Sequence, residues 1–169
     1  MLRTLSGLAL MRLMFLGSLA AIVTALAFEH LGGYAPCPLC LTERIAYYAG
    51  VTGGLVAILM HQAGRKGMAA VLLAAIAVGY LINVGLGVYH SGIEWKWWPG
   101  PATCSGAAEI SKSAGSLIEK LKTMQVVRCD EAPFRFLFLS FAGWSAVISA
   151  TLAVVAAFAA FRSAAPATR

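Results

Sequence analysis

Residues 136–161 read FLFLSFAGWSAVISATLAVVAAFAAF, 26 residues without a charge, fenced by Arg135 and Arg162. About 20 mostly apolar residues in a helix cross the hydrocarbon core of a bilayer, so this run predicts a transmembrane helix. Working outward, three more stretches have the length: Leu13–Leu31, Leu41–Met60 and Met68–Tyr89. The third carries no charge, whereas the second places Glu43 and Arg44 in its first turn. Glycines and alanines such as Gly17, Ala20, Gly50, Gly53, Gly54, Gly79, Gly85, Gly87 and Gly143 dot all four, as close helix packing in lipid requires. In hydrocarbon only helices and closed barrels satisfy their own backbone, and these runs lack the alternation of a barrel strand. The expectation is therefore an all-α integral membrane protein, a single four-helix bundle over residues 1–169.

Composition agrees. The 169 residues are 60% apolar and 12% charged, against about 45–50% and 25% in soluble domains. Disorder is excluded by the same numbers, and 17 Gly and 6 Pro without period exclude collagen-like chains. The net charge of +6 reads as topology and not as a nucleic-acid surface. One side of the bundle collects Arg3, Arg12, Arg65, Lys66, Arg162 and Arg169 with no acidic residue; the segments 29–44 and 90–135 together hold seven basic and seven acidic residues. Both termini are thus expected in the cytoplasm, with loops 32–40 and 90–135 outside. A cleavable leader ending near Ala25-Leu26-Ala27 is the rival reading of the first span. It would leave three spans without moving the cysteines.

The second outer loop opens with Glu94-Trp95-Lys96-Trp97-Trp98, an expected interfacial aromatic anchor. Further on, Ile110, Ala114, Leu117, Ile118, Leu121 and Met124 recur at helical spacing, which predicts a short amphipathic helix on the membrane surface or capping the bundle.

All four cysteines fall on the outer, oxidising side, where disulfides are the default. Cys104 and Cys129 lie 25 residues apart, and a bond closing such a loop stabilises by roughly 3–4 kcal/mol in the chain-entropy estimate. Cys37-Pro38-Leu39-Cys40 closes too small a ring to serve as a staple, and C-x-x-C otherwise signals redox exchange or metal. A Cys₄ zinc site can be written, but the second pair lacks the C-x-x-C spacing of such sites. Cys40 near a helix N-terminus, with Arg44 at i+4, favours a thiolate and therefore redox chemistry. Arg44 at membrane depth is either functional or paired with Glu43 or Glu29. The chain carries no haem, dinucleotide or ferredoxin motif, which leaves a lipid-soluble acceptor such as a quinone.

These residues resemble a known family. Phe28-Glu29-His30, Pro36-Cys37-Pro38-Leu39-Cys40 and Glu43-Arg44 look like the first outer loop and second-helix start of the DsbB family of disulfide-bond formation proteins. Tyr89-His90, Pro101-Ala102-Thr103-Cys104 and Arg128-Cys129-Asp130-Glu131 are similar to later parts of its pattern. The resemblance implies a protein-disulfide:quinone oxidoreductase of the bacterial inner membrane. Its active side faces the periplasm, where it reoxidises a DsbA-like thioredoxin-fold oxidase and passes the electrons to ubiquinone or menaquinone. By matching position, the partner attacks Cys104, the released Cys129 attacks Cys37, and Cys40 gives electrons to the quinone. Arg44 and, more weakly, His90 are implied as quinone contacts, with Glu43 a structural partner. The Trp-rich stretch at 94–98 departs from the pattern and suggests a specialised partner. Two rivals are a vitamin K epoxide reductase-type enzyme, whose loop pair precedes its C-x-x-C, and a non-catalytic scaffold or transporter subunit with structural disulfides.

Overall fold

The structure is a computed structural model of the 169-residue chain, and it describes residues 6–101, 104 and 128–164. Four helices make up nearly all of it: α1 (Gly7–His30), α2 (Pro38–Gln62), α3 (Lys66–Glu94) and α4 (Phe141–Ala164). Ahead of α4 lies a small antiparallel hairpin of β1 (Arg135–Phe136) and β2 (Leu139–Ser140). The amphipathic helix expected within 106–124 lies outside the described residues.

Each helix starts and stops for local reasons. Ser6 caps α1 by accepting the Ala9 N–H at 3.2 Å, which satisfies one of the orphan donors of the first turn. Cys37 caps α2 in the same manner, its Sγ accepting from the Cys40 N–H, and Pro38 follows at the first helical position where its missing N–H costs nothing. The α2–α3 turn passes through Gly64 at φ +79°, a conformation that suits glycine. The chain between α3 and the hairpin begins after Trp95, where Lys96 turns left-handed (φ 61°).

Helix α1 begins at Gly7, ahead of the expected Leu13, and two further boundaries differ from the sequence reading in ways that matter to the site. Helix α3 runs through Glu94, so His90 and Glu94, expected in the outer loop, stand on a helix. No proline interrupts 90–94, the helix runs through Ser91-Gly92, and the indole of Trp98 folds back to stack on Tyr89 and donate to its carbonyl at 2.9 Å. At the other boundary, Leu137 and Phe138 both have positive φ, which no helix admits, so α4 begins at Phe141 and not at Phe136.

The helices form a ring in which α1 packs on α2, α2 on α3, α3 most extensively on α4, and α4 back on α1. Leu10, Met14, Leu73, Tyr80, Leu152 and Ala156 lie in the buried seam. Several small residues let the helices approach: a Cβ on Gly50 would stand 1.8 Å from the Tyr80 hydroxyl, and one on Gly87 would meet the Ala142 carbonyl at 3.0 Å. Gly79 and Gly85 have nothing within 4 Å of that position, so their small size serves no helix contact. Leucines, valines and phenylalanines such as Leu16, Val71, Leu81 and Phe161 face outward, an outer surface that only lipid would cover cheaply. Three of the helices (α1, α3 and α4) are long and apolar enough to cross a membrane.

Candidate active site

The end of the bundle where α2 begins and α3 ends, expected from the sequence to face outward, gathers the cysteines. Cys104 and Cys129 are joined in a disulfide, as the loop spacing allowed. Cys37 and Cys40 are unbonded, with their Sγ atoms 2.7 Å apart, so a slight approach closes the bond between them. Cys37, Cys104 and Cys129 are buried together, with Leu39 and Cys40 packed against them. A Cys₄ zinc site is not on offer in this arrangement, because two of its thiolates are consumed in a disulfide.

The decisive geometry is at Cys37. Its Sγ, a ring nitrogen of His90 and the Sγ of Cys129 all lie within 4.8 Å of one another. The two cysteine pairs are thus neighbours, although Cys37 and Cys129 are far apart in sequence. Cys37 also receives the most stabilisation as an anion. Hydrogen bonding from the Cys40 thiol, then from backbone N–H groups of the first turn, holds its pKa below that of an ordinary thiol, against the opposing effects of burial and of the Glu43 charge. The sequence reading had placed that stabilisation at Cys40, one turn from Arg44. Arg44 instead reaches across to α1, where its guanidinium donates to Glu29 at 2.5 Å.

His90 projects from α3 into the same cluster. Its Nδ1 is 2.8 Å from Glu43 Oε1 on α2, and its Nε2 is 3.6 Å from Cys37 Sγ. The ring is 2% exposed. Both nitrogens are therefore engaged within the protein, and in this arrangement the imidazole addresses sulfur and not the lipid. Glu94, one turn further along α3, brings Oε1 to 4.0 Å from His90 Nε2, while its other oxygen is buried without a hydrogen-bond partner. Glu94 escaped the sequence reading because it fell in a segment read as loop. Once α3 is extended, the i, i+4 spacing of His90 and Glu94 is the signal that finds it.

Charged pairs surround Asp130, next to Cys129. Asp130 accepts from the Arg128 guanidinium and from Lys96 Nζ, and these cations hold its carboxyl below the usual carboxylate range. Lys96 in the Trp-rich stretch thereby ties the disulfide loop to the end of α3.

A family model described as disulfide bond formation protein DsbB matches residues 8–159. The chain belongs to the DsbB family. Among its relatives is disulfide bond formation protein B of Aromatoleum aromaticum, 32% identical over 86% of this chain and 89% of that protein. The protein of the same name from Marinobacter nauticus is 27% identical over 91% and 92%. An uncharacterised protein of Rickettsia prowazekii, RP370, is 26% identical over 81% and 78%. No solved structure matches the chain. Membership of the DsbB family makes the chain a membrane oxidoreductase acting on disulfides, and the geometry at Cys37 is the place where such chemistry finds its atoms.

Proposed function

We propose that the protein reoxidises a DsbA-like, thioredoxin-fold dithiol oxidase of the periplasm and hands the electron pair to a membrane quinone. In this reading all four helices cross the inner membrane, both termini face the cytoplasm, and the cysteine cluster opens to the periplasm. The observation that carries it is the meeting of Cys37 and Cys129 in one buried cluster. Exchange between two disulfides needs a thiolate near a foreign sulfur, and a pair of purely structural bonds needs no such proximity.

The exchange runs through this chain's sulfurs in order. A partner thiolate attacks Cys104, forming a mixed disulfide and releasing Cys129. Cys129 then attacks Cys37 of the closed C-x-x-C pair; the Cys129–Cys37 bond forms, the Cys37–Cys40 bond breaks, and Cys40 leaves as thiolate. The partner's second thiolate attacks the mixed disulfide, so the partner departs oxidised and Cys104 is freed as thiolate. Quinone, when bound, accepts two electrons and two protons and carries them away in lipid. The residues around Cys40 fit such a ring. Leu41, Ile45 and Tyr48 present an exposed apolar face on α2, and Arg44 beside them has N–H groups beyond the one that binds Glu29 to offer a carbonyl oxygen.

The direct test mixes the purified protein with a reduced DsbA-like oxidase and follows quinone absorbance. Cys40→Ser is expected to stop quinone reduction, and Cys104→Ser to stop transfer from the partner. Quinone reduction by Cys40→Ser at the wild-type rate would overturn the scheme.

A further inference from the structure

We propose that His90 is a catalytic residue of the sulfur exchange: it takes the proton of the Cys37 thiol on Nε2, with Glu43 as the positioning residue that holds the ring. This rests on the exchange proposed above, since it assigns a role at the same sulfur. Three observations converge on it. His90 Nε2 faces Cys37 Sγ at 3.6 Å, within hydrogen-bonding reach for sulfur. Glu43 Oε1 lies 2.8 Å from Nδ1 on the far side of the ring. Glu94 presents a buried carboxylate at 4.0 Å whose second oxygen has no partner.

A buried imidazole with a carboxylate on Nδ1 has its tautomer fixed. Nδ1 carries a hydrogen donated to Glu43, so Nε2 is free to receive the proton of the neighbouring thiol. The same placement of nucleophile, base and orienting group activates cysteines elsewhere. The carboxylates of Glu43 and Glu94 favour the imidazolium, which costs too much to bury alone. Glu94 then has a reason to be buried with an unused oxygen: it is a counter-charge needed only when the ring is protonated.

The step balances within the protein. When Cys104 thiolate closes the loop bond, Cys104–Cys129 forms and Cys129–Cys37 breaks, and the electron pair stays on Cys37. In the dithiol that results, the Cys37 proton passes from Sγ to His90 Nε2, and the imidazolium Nε2–H hydrogen-bonds the thiolate. That thiolate re-forms the Cys37–Cys40 bond as the electron pair leaves through Cys40 to the quinone acceptor proposed above; the proton transfer itself moves no electrons. The groups facing the ring are Cys40 and Glu43 from α2 and Glu94 from α3, while Arg135 of the hairpin acts on Glu94. On α1, Glu29 is paired with Arg44; α4 offers the hydroxyls of Ser145 and Ser149 to Tyr47, one turn below Glu43. Cys129 is bonded and does not titrate.

The test uses the full chain carrying Cys40→Ala, with the loop disulfide left oxidised, so that Cys37 is the lone free thiol. Its rate of alkylation by iodoacetamide is measured against pH by mass spectrometry. Cys40→Ala also removes the Cys40 hydrogen bond, so a midpoint below the value of about 8.5 for a free thiol is expected here on the strength of His90 and not of that bond. His90→Gln is expected to raise it by a pH unit or more and to slow alkylation at neutral pH about tenfold. Glu43→Gln removes both the ring's orienting acceptor and a charge that disfavours the thiolate, so it should raise the midpoint by less, and should not raise it at all in the His90→Gln background, a non-additivity that a merely structural role would not give. Helical circular dichroism and an unchanged thermal midpoint in detergent show that each variant is folded; should His90→Gln fail this check, Glu43→Gln carries the test. Superimposable profiles for the parent and a folded variant overturn the proposal. The assay contains neither quinone nor partner, so a failed quinone assay with a His90-dependent profile sinks the proposed function and leaves this inference standing.

Discussion

Two buried polar regions sit at different levels of the bundle, with Tyr47 of one a single helical turn from Glu43 of the other, and they are built differently. In the middle, Ser18 and Tyr80 share a 2.5 Å hydrogen bond while Ser18 also donates to the Met14 carbonyl. Tyr47 donates to the Ser145 carbonyl and meets Ser149, which accepts from Asn83. Every hydroxyl there has a partner, all neutral, drawn from all four helices. At the outer end the groups are ionisable, and Glu94 and Ser91 each keep a buried oxygen without a partner. A satisfied neutral network fixes helix positions and has nothing left to exchange. An under-satisfied ionisable cluster is a poor clamp, and its spare capacity is what proton and sulfur transfer require. The middle region holds the helices, and the outer one uses their placement.

The largest effect expected from breaking this contrast is at sulfur. Cys37→Ser removes the atom where the two pairs meet, and electron transfer to quinone is expected to fall to background. The Cys104–Cys129 bond should still be attacked by a reduced partner, trapping a mixed disulfide visible on a non-reducing gel. Continued turnover by Cys37→Ser would show that the pairs communicate by another route.

Next comes Arg44. A hydrogen bond from a charged donor contributes about 1.5–3 kcal/mol, so Arg44→Met is expected to raise the quinone KM roughly tenfold to a hundredfold. Partner exchange at Cys104 should be little changed. Equal losses in both half-reactions would assign Arg44 to holding α1 through Glu29 alone.

The middle network is tested by crowding it. A methyl group at Gly50 would press on the Tyr80 hydroxyl, and overpacking of a tight core costs about 1–3 kcal/mol. Gly50→Ala is therefore expected to lower the thermal midpoint in detergent while leaving the C-x-x-C pair competent in any protein that remains folded. Gly79→Ala, which meets nothing, is the control and should be neutral or slightly stabilising through helix propensity. Equal destabilisation by both would remove the distinction between packed and idle glycines.

The sequence carried the helices and the chemistry unequally. The uncharged run ahead of Arg162 announces a long apolar helix by length alone, and Pro38 after Cys37 announces where α2 begins. The C-x-x-C pair is legible because its spacing has few uses. The Glu43–His90 contact is not legible, since its members are 47 residues apart on different helices. Reasoning along one helix sees Arg44 a turn beyond Cys40, and has no means of seeing the ring that α3 brings to Cys37. The hairpin before α4 escaped because Leu137 and Phe138 look like the continuation of an apolar span; only their positive φ removes them from it.

The smallest effect belongs to the loop that carries Cys129 to the cluster. Asp130 is solvated, so its pairs with Arg128 and Lys96 are screened and each stabilises little. Its native pKa is depressed by those cations. The sign follows: a depressed carboxylate contributes above its ordinary titration range, and that contribution is lost as pH falls through and below about 4. Acidification, or Asp130→Asn at neutral pH, should loosen the tie between Lys96 and the loop without breaking the disulfide. The measurement is the rate at which a small phosphine reduces Cys104–Cys129, which should rise modestly on acidification in the parent protein and be flatter with pH in Asp130→Asn. High salt should mimic the substitution, because exposed pairs are screened over about 3 Å at 1 M. A reduction rate as pH-dependent in Asp130→Asn as in the parent would place the loop's order in its packing against Cys37 rather than in its charges, and would make the outer cluster resemble the middle one more than its ionisable groups suggest.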